Sequence, residues 1–408
     1  MKIKIHKYCP PVIILFIVLY PKVLDYIPAC NSLIHIIYIL QIVFAFFVLG
    51  SRIVRIFIEK RMLDNRERCF VTILIFINLG FFLSDFYVGV FSQTFTINIR
   101  RTALILALYY YIEQANADKR YNIIKSSYYY LTALMFFNLV LKVMFPKGMA
   151  GMFMYTTEGY LAWTDTIGFL DADNRVSLFA FLYFFIAHIY IELYCDGIHA
   201  YKKNNYIITY ILVIVNILLS KSGSGVLAML VLLLLVFFIK SKKSIGNIVS
   251  WKGLTIISIV IAFFVTGKMT NVVSWLGSLM GKGVSLSGRT AIWAMAVEKI
   301  INSPIIGYGT LEEGAFFNIG YYTWYAHDQY LDFWLQGGIL TLISFIILIG
   351  YTHSRIKRVA IKNYYIVYVA SLVAFLALGV VEHFVIRNYY QFWCFICFAF
   401  VMSKEKVK

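Results

Sequence analysis

Charged residues are scarce in this sequence, and acidic residues are the scarcest of them. Only 14% of the 408 residues are charged, and 20 Asp and Glu stand against 37 Lys and Arg. Hydrophobic residues make up 61% of the chain, and the mean hydropathy is +0.78. Soluble domains carry about 25% charged residues, so this composition excludes the soluble globular class. Apolar runs of about 20 residues recur along the chain, which predicts a polytopic integral membrane protein.

The motifs that usually mark nucleotide, metal or redox sites are also missing. The sequence has no GxxxxGK[ST] phosphate loop, no HExxH pair and no DxD motif with a partner cluster. We therefore expect neither a nucleotide pocket nor a metal or other cofactor. The six cysteines are scattered, and Cys394 and Cys397 form a CxxC inside a hydrophobic run without His or carboxylate neighbours. We interpret them as small apolar packing residues.

The apolar runs predict an all-α fold, because a bilayer cannot satisfy the open backbone groups of other structures. We predict a single transmembrane domain, 1–408, with about twelve spans, or about eleven because Pro21 breaks the first run. The predicted spans are 9–25, 33–50, 69–88, 102–115, 127–145, 176–195, 206–220, 225–240, 254–267, 338–352, 365–383 and 390–402. The polar segment 268–337 is predicted to be a large extracytoplasmic loop that bears the site, and 146–175 a second outer loop.

The distribution of basic residues predicts the orientation. Most Lys and Arg fall on one side of the predicted spans, including both termini, so the positive-inside rule places that side and both termini in the cytoplasm. The first apolar run lacks a small-residue cleavage site, and we expect an uncleaved first helix. A net charge of +17 is compatible with nucleic-acid binding, but the charges alternate with apolar spans. We therefore expect contact with anionic membrane lipid and no nucleic acid.

Candidate phosphate-binding cations lie in two predicted outer turns. In DADNR, residues 171–175, Arg175 stands in the first turn of a predicted helix, where the helix dipole disfavours a cation. It therefore needs an anionic partner, either the neighbouring carboxylates or a ligand phosphate. In SKSGSG, Lys221 and the backbone donors could form an anion nest, although a plain hairpin uses similar residues. We predict that Arg100 and Arg101 lie at an outer membrane edge, as snorkelling anchors or beside an anionic headgroup.

The SLSGRTAIW segment predicts a helix from about Arg289 to Asn302, stopped by Pro304. Such a helix would present Arg289 at the membrane surface or the mouth of the bundle. The guanidinium of Arg289 suits a diphosphate, because its planar fork donates paired hydrogen bonds and stays charged. The alternative is a structural ion pair, with Glu298, Glu312 or Glu313 as the partner.

The AHDQYLDFW motif places His327 and Asp328 at the start of a predicted helix, with Asp332 one turn later. Either carboxylate could orient or ionise the imidazole. A lone histidine is more often a structural hydrogen-bonding group, but here Tyr and Trp side chains precede it, and these stack on sugar rings. Together with the arginine segment they favour a functional site.

The last predicted outer turn, VVEHFVIRNYY, supplies Glu382, His383 and Arg387. Ionisable residues at this membrane depth are costly. We therefore expect them either to pair with one another or to take part in function, with Arg387 as a further cation for a diphosphate and Glu382 and His383 in support.

The order of these motifs resembles the O-antigen polymerase and O-antigen ligase superfamily, many-spanning bacterial proteins that join sugar chains carried on polyprenyl diphosphate. The similar pieces are DADNR, SKSGSG, SGRTAIW, SPIIGYG and AHDQYLDFWLQGGIL, from about residue 165 to 350. The resemblance implies a GT-C-like fold and metal-independent glycosyl transfer at the outer face of the bacterial cytoplasmic membrane. It also implies that Arg175 and Arg289 hold the donor diphosphate and that His327 serves in catalysis or acceptor binding.

The sequence departs from the family pattern at two positions. Asp328 replaces the asparagine that usually follows the histidine in ligases, and the turn with Lys221 lacks the arginine often seen there. The residue usage and the AHDQ variant are most similar to capsule or exopolysaccharide repeat-unit polymerases, with a ligase as the alternative. His327 or Asp328 would take the proton of an acceptor hydroxyl, while cations stabilise the leaving diphosphate.

The resemblance also implies the partners. The expected substrates are undecaprenyl-diphosphate-linked oligosaccharides as donor and acceptor, and the expected protein partners are a chain-length regulator and a flippase. From another class of protein, the chain itself could be a flippase or transporter of such lipids. A transporter would be expected to carry charges throughout the bundle and internally repeated halves. We see neither pattern, so the enzyme interpretation is favoured.

Overall fold

Helices make up nearly all of the regular structure in the part of the chain that can be described. The computed structural model describes residues 8–59, 64–146, 148–149, 167–171, 175–194, 199–238, 289–310, 325–359, 362–384 and 389–402. Its helices are α1 (Cys9–Val18), α2 (Asn31–Glu59), α3 (Asn65–Val88), α4 (Phe91–Glu113), α5 (Ala117–Met144), α6 (Val176–Tyr194), α7 (His199–Leu219), α8 (Gly223–Phe238), α9 (Arg289–Asn302), α10 (Gln329–Val359), α11 (Lys362–Gly379) and α12 (Gln391–Met402). Two 3₁₀ turns, Lys22–Tyr26 and Pro28–Cys30, join α1 to α2.

The outer surface of the bundle is apolar, as a lipid environment requires. Within the described residues, four helices are long and apolar enough to cross a membrane, in the segments Pro28–Ile58, Asn65–Val88, Ala117–Met144 and Gln329–Arg358. Large side chains on these helices face outward; Phe46, Phe47 and Phe57 are 75%, 70% and 78% exposed. A soluble monomer rarely exposes so much contiguous apolar surface. The all-α prediction is confirmed for these residues, and the chain is a multi-pass membrane protein.

Two apolar helices form the centre of the bundle. Every residue of α6 from Val176 to Ile191 is buried, and so is every residue of α12. Helices α5, α7 and α11 pack around α6, while α4 and α10 pack against α12. Cys394 and Cys397 are fully buried free thiols in this core, which confirms their interpretation as packing residues.

Several predicted span boundaries were wrong. The first apolar run forms only the short helix α1, because the chain leaves the helix before Pro21 and continues as 3₁₀ turns. Helix α4 begins at Phe91, well before the predicted span 102–115, so Arg100 and Arg101 lie within the helix. Arg101 is buried and donates to the side chains of Asn78 and Asn98. The predicted span 254–267 and the parts 268–288 and 311–324 of the predicted loop lie outside the described residues.

Helix α10 is interrupted at Gly338, where the loop after α9 docks. Gly338 has φ 65° and ψ −174°, which breaks the helical hydrogen bonding. The freed carbonyl groups of Leu335 and Gln336 accept hydrogen bonds from the backbone N–H groups of Tyr308 and Gly309, and Ile339 N donates to Ile305 O. Non-helical backbone is tolerated near a membrane only where such partners exist. The SPIIGYG loop, residues 303–309, thereby joins the end of α9 to the backbone of α10 around Gly338.

We expect Gly338→Ala to destabilise the protein strongly. A Cβ atom at Gly338 would lie 2.0 Å from Ile305 O, and the positive φ disfavours any side chain. Together these effects should cost at least about 3 kcal/mol, measured as a lower melting temperature of the purified protein. Gly50→Ala is the matched control, because a Cβ at this helical glycine has no atom within 4 Å. Equal melting temperatures of the two variants would contradict the docking role of the break.

Candidate functional site

Three helix starts and one connection between helices converge at one end of the bundle. Arg175 directly precedes α6, Arg289 is the first residue of α9, and His327 lies two residues before α10. The connection between α11 and α12 brings in Glu382, which interacts electrostatically with all three. The N-terminal ends of helices carry partial positive charge. This end of the bundle therefore combines cationic side chains with helix ends that favour anions.

Arg175 is held between two tyrosines. Its Nη1 atom donates a short hydrogen bond to Tyr389 Oη, and its Nη2 atom donates to Tyr325 Oη at 3.0 Å. The guanidinium lies 4.7 Å from the centre of the Tyr389 ring and 5.7 Å from that of Tyr325. The nearest oxygen of Asp171 is 3.9 Å away. Two phenols and the carboxylate of Asp171 hold the guanidinium in place, and Glu382 interacts with it electrostatically.

Arg289 forms a buried ion pair with Glu382. Its Nη2 atom lies 2.5 Å from Glu382 Oε1, and both side chains are nearly inaccessible to solvent. Burial opposes ionisation of Glu382, but Arg289 and the neighbouring His327 and Arg175 outweigh it and lower the pKa of Glu382. The alternative prediction for Arg289 was a structural ion pair with Glu298, Glu312 or Glu313; its partner is Glu382, and Glu312 and Glu313 lie outside the described residues. The pair places one guanidinium and one carboxylate, those of Arg289 and Glu382, at the centre of the site.

His327 is partly buried in a strained backbone conformation. Its φ is 52°, in the left-handed region that non-glycine residues rarely adopt and that often marks functional positions. Burial lowers the pKa of His327 to about 4; Glu382 opposes this shift, while Arg289 and Arg175 add to it. The imidazole is therefore neutral at pH 7. Its Nδ1 atom is buried and has no hydrogen-bond partner in the described part of the chain.

His383 stacks on Tyr325, the tyrosine that accepts a hydrogen bond from Arg175. The rings of Tyr325 and His383 are nearly parallel, with centres 3.9 Å apart, and His327 lies 4.2 Å from Tyr325. Burial lowers the pKa of His383 to about 3, and Arg175 lowers it further while Glu382 opposes. His383 is thus neutral at pH 7, with Nδ1 3.3 Å from Asp332 Oδ2. Asp332 contacts His383 and the backbone N–H of Ala326, so it supports the wall of the site.

Asp328 acts as the N-cap of α10. Its Oδ1 atom accepts hydrogen bonds from the backbone N–H groups of Tyr330 and Leu331, both at 2.8 Å. Burial raises the pKa of Asp328 well above its ordinary value, Asp332 adds to the rise, and the backbone donors oppose it. Asp328 therefore shapes the turn that contains His327. Gln329 helps to close the site, because its Oε1 atom accepts from Phe384 N at 2.7 Å.

Two further diphosphate ligands were predicted, Lys221 and Arg387. Lys221 is exposed in the turn between α7 and α8, and no described contact joins its side chain to the cluster. The turn itself does approach the start of α6, since a Cβ at Gly225 would lie 2.2 Å from Ser177 Oγ. Arg387 lies outside the described residues.

A further cation near this site, Lys22, was not predicted from the sequence. It lies in a 3₁₀ turn, only 3% exposed, and its backbone N–H donates to Leu170 O beside the Arg175 region. Its Nζ atom lies 3.4 Å from Asp25 Oδ2 and 5.7 Å from the centre of the Tyr389 ring. Tyr389 thus contacts both Arg175 and Lys22. The available signal was a lysine between two prolines, YPKVLDYIP, in an otherwise apolar run.

Fold and site together define a multi-pass membrane protein with a buried cluster of cations, histidines and carboxylates where helix ends meet. Residues 208–346 match the family model described as O-Antigen ligase. This segment runs from α7 into α10 and contains Arg289 and His327. The match supports the resemblance of this chain to the O-antigen ligase and polymerase superfamily, whose members are glycan-transferring enzymes. Among curated proteins, no match was found.

Proposed function

We propose that this chain is a polysaccharide polymerase of the bacterial cytoplasmic membrane. It would transfer glycan repeat units from an undecaprenyl-diphosphate-linked donor to a lipid-linked acceptor at the outer face, with residues 268–337 extracytoplasmic and both termini cytoplasmic. The observation that carries the proposal is the meeting of Arg175, Arg289 and His327 around Glu382. The family match in the same region supports it.

The cations of the site would hold the diphosphate of the donor. Arg175 and Arg289 stand at the starts of two helices, so their guanidinium groups add to the positive ends of those helices. A diphosphate can accept paired hydrogen bonds from each planar fork. An incoming diphosphate would compete with Glu382 for Arg289. Lys22 would add charge behind Tyr389, and Lys221 and Arg387 remain proposed ligands of the same anion.

His327 is the proposed general base. The hydroxyl oxygen of the acceptor sugar attacks the anomeric carbon of the donor, and the bond from that carbon to the diphosphate oxygen breaks. The hydroxyl proton passes to the neutral imidazole, and the lipid diphosphate leaves with its negative charge stabilised by the arginines. Asp328 supports this step by capping α10, and Asp332 and His383 by holding Tyr325 in place. No step needs a metal ion.

A polymerase is preferred over two alternatives. A ligase would use the same donor chemistry but a different acceptor, and the AHDQ motif favours the polymerase by resemblance. A flippase would move the lipid-linked sugar without breaking a bond. The position of His327 beside the arginines favours bond formation, because transport alone does not require a base.

The test is to mix the purified full chain, in liposomes, with a lipid-linked oligosaccharide repeat unit. We expect a ladder of longer lipid-linked chains on a gel, because each product can serve again as an acceptor. The matched control is Lys203→Gln, which removes an exposed charge far from the cluster and should leave the ladder unchanged. Transfer only to a different added acceptor would indicate a ligase. Movement of the lipid across the bilayer without any new bond would overturn the proposal.

A further inference from the structure

A cavity with both polar and apolar lining lies at the opposite end of the bundle from the candidate site. It has a volume of about 360 Å³, within the usual range of small-ligand pockets. Helices α1, α2, α4 and α5 surround it. The 3₁₀ turn Lys22–Tyr26, which precedes α2 in the chain, donates a backbone hydrogen bond to Leu170 near the candidate site, and α2 is 29 residues long. At 1.5 Å per residue this helix spans roughly 40 Å, so its end with Arg55 belongs to the other membrane face.

The charged groups of this cavity are all basic. Arg55 from α2 and Lys119 from α5 line it, and its lining includes no acidic residue. Both cations are exposed, and neither is paired with a carboxylate in the part of the chain that the structure describes. Lys119 also lies in the first turn of α5, where the helix dipole favours an anion. The charged side chains that line the cavity are therefore all positive.

Neutral donors and aromatic rings complete the cavity. Gln114 lines it, and its Nε2 donor is buried without a hydrogen-bond partner among the described residues. A buried donor without a partner costs free energy, so an acceptor at this position would be favoured. Tyr110 and Tyr111 also line the cavity. Tyrosine rings are typical of the membrane–water interface, where lipid headgroups lie.

We propose that this cavity binds the phosphate-bearing headgroup of an anionic membrane lipid. The phosphate would lie between Arg55 and Lys119 and accept a hydrogen bond from Gln114, while the glycerol and upper chains would contact the apolar lining. The observations point to a lipid more than to a free anion, because Pro10, Pro11 and Val48 line the same cavity and the helices around it face lipid. This proposal does not depend on the transfer reaction.

The test measures lipid binding to the purified full chain by native mass spectrometry, with phosphatidylglycerol and phosphatidylcholine of the same acyl chains. We expect Arg55→Gln and Lys119→Gln each to weaken phosphatidylglycerol binding about fivefold, and the double variant about thirtyfold, to the level of phosphatidylcholine. Lys357→Gln/Arg358→Gln is the matched control, since it removes two exposed charges near the end of α10 that do not line the cavity.

Three outcomes would overturn the inference. Equal binding of both lipids would show that the headgroup charge is not recognised. An equal loss in the control double variant would show a general surface-charge effect. Complete displacement of phosphatidylglycerol by millimolar inorganic phosphate would identify a site for a free anion.

Discussion

Replacing Arg289 with alanine should abolish chain extension while the protein still inserts into the membrane. The loss of one preorganised donor to a developing anionic leaving group lowers catalysis by about 10²- to 10³-fold. Arg289→Lys should be impaired about 10- to 100-fold, because lysine keeps the charge but not the fork. The measurement is kcat/KM for the lipid-linked donor in liposomes, alongside the melting temperature.

Arg289 also pairs with buried Glu382, so its substitution tests stability as well as activity. Breaking a buried pair leaves an uncompensated charge and costs about 3–5 kcal/mol, whereas replacing both partners with apolar residues is often neutral. Arg289→Met/Glu382→Leu should therefore melt close to the native protein and still lack activity. An active double variant would show that Arg289 serves only the ion pair and does not hold the diphosphate.

Removing the imidazole of His327 should lower the rate about 10²- to 10⁴-fold, the usual contribution of a general base. His327→Asn is the informative variant, because asparagine tolerates the left-handed φ of 52° that alanine would strain. A folded His327→Asn protein with a native rate would remove His327 from the mechanism. A loss in His327→Ala alone would indicate that only the turn conformation matters.

The pH dependence of the same reaction checks the role of His327 independently. Burial lowers the pKa of His327 to about 4, so the neutral base is present above that pH and is lost as the pH falls through it. We expect a flat rate from about pH 5 to 8 and a decline of about tenfold per pH unit below 4. An exposed histidine would already lose activity below about pH 6.5. In His327→Asn the residual rate should lack this acid limb.

Local signals in the sequence predicted the helix boundaries around the site. The helix Arg289–Asn302 is confirmed together with its end before Pro304, and so is the start of a helix directly after His327 and Asp328. Capping residues, a stopping proline and helical spacing act within a few residues, so they are readable without a fold. The sequence pattern did not predict that the first helix ends as early as Val18. For the same reason Lys22, which follows in a 3₁₀ turn, was not predicted to lie near the site.

The partners of the site residues were not readable in this way. Arg289 pairs with Glu382 across 93 positions, and Arg175 reaches Tyr325 and Tyr389 across 150 and 214. Such pairings depend on which helix ends pack together in the folded bundle. No periodicity within one segment encodes that arrangement.

Composition and local patterning determined that this chain is helical, crosses a membrane and carries polar groups where certain helices begin, because hydrocarbon admits little else. Only the tertiary structure decided that Arg175, Arg289, His327 and Glu382 share one buried cluster. It also decided that Asp328 caps a helix and that Lys22 lies beside Tyr389, because these contacts arise from packing between distant helices.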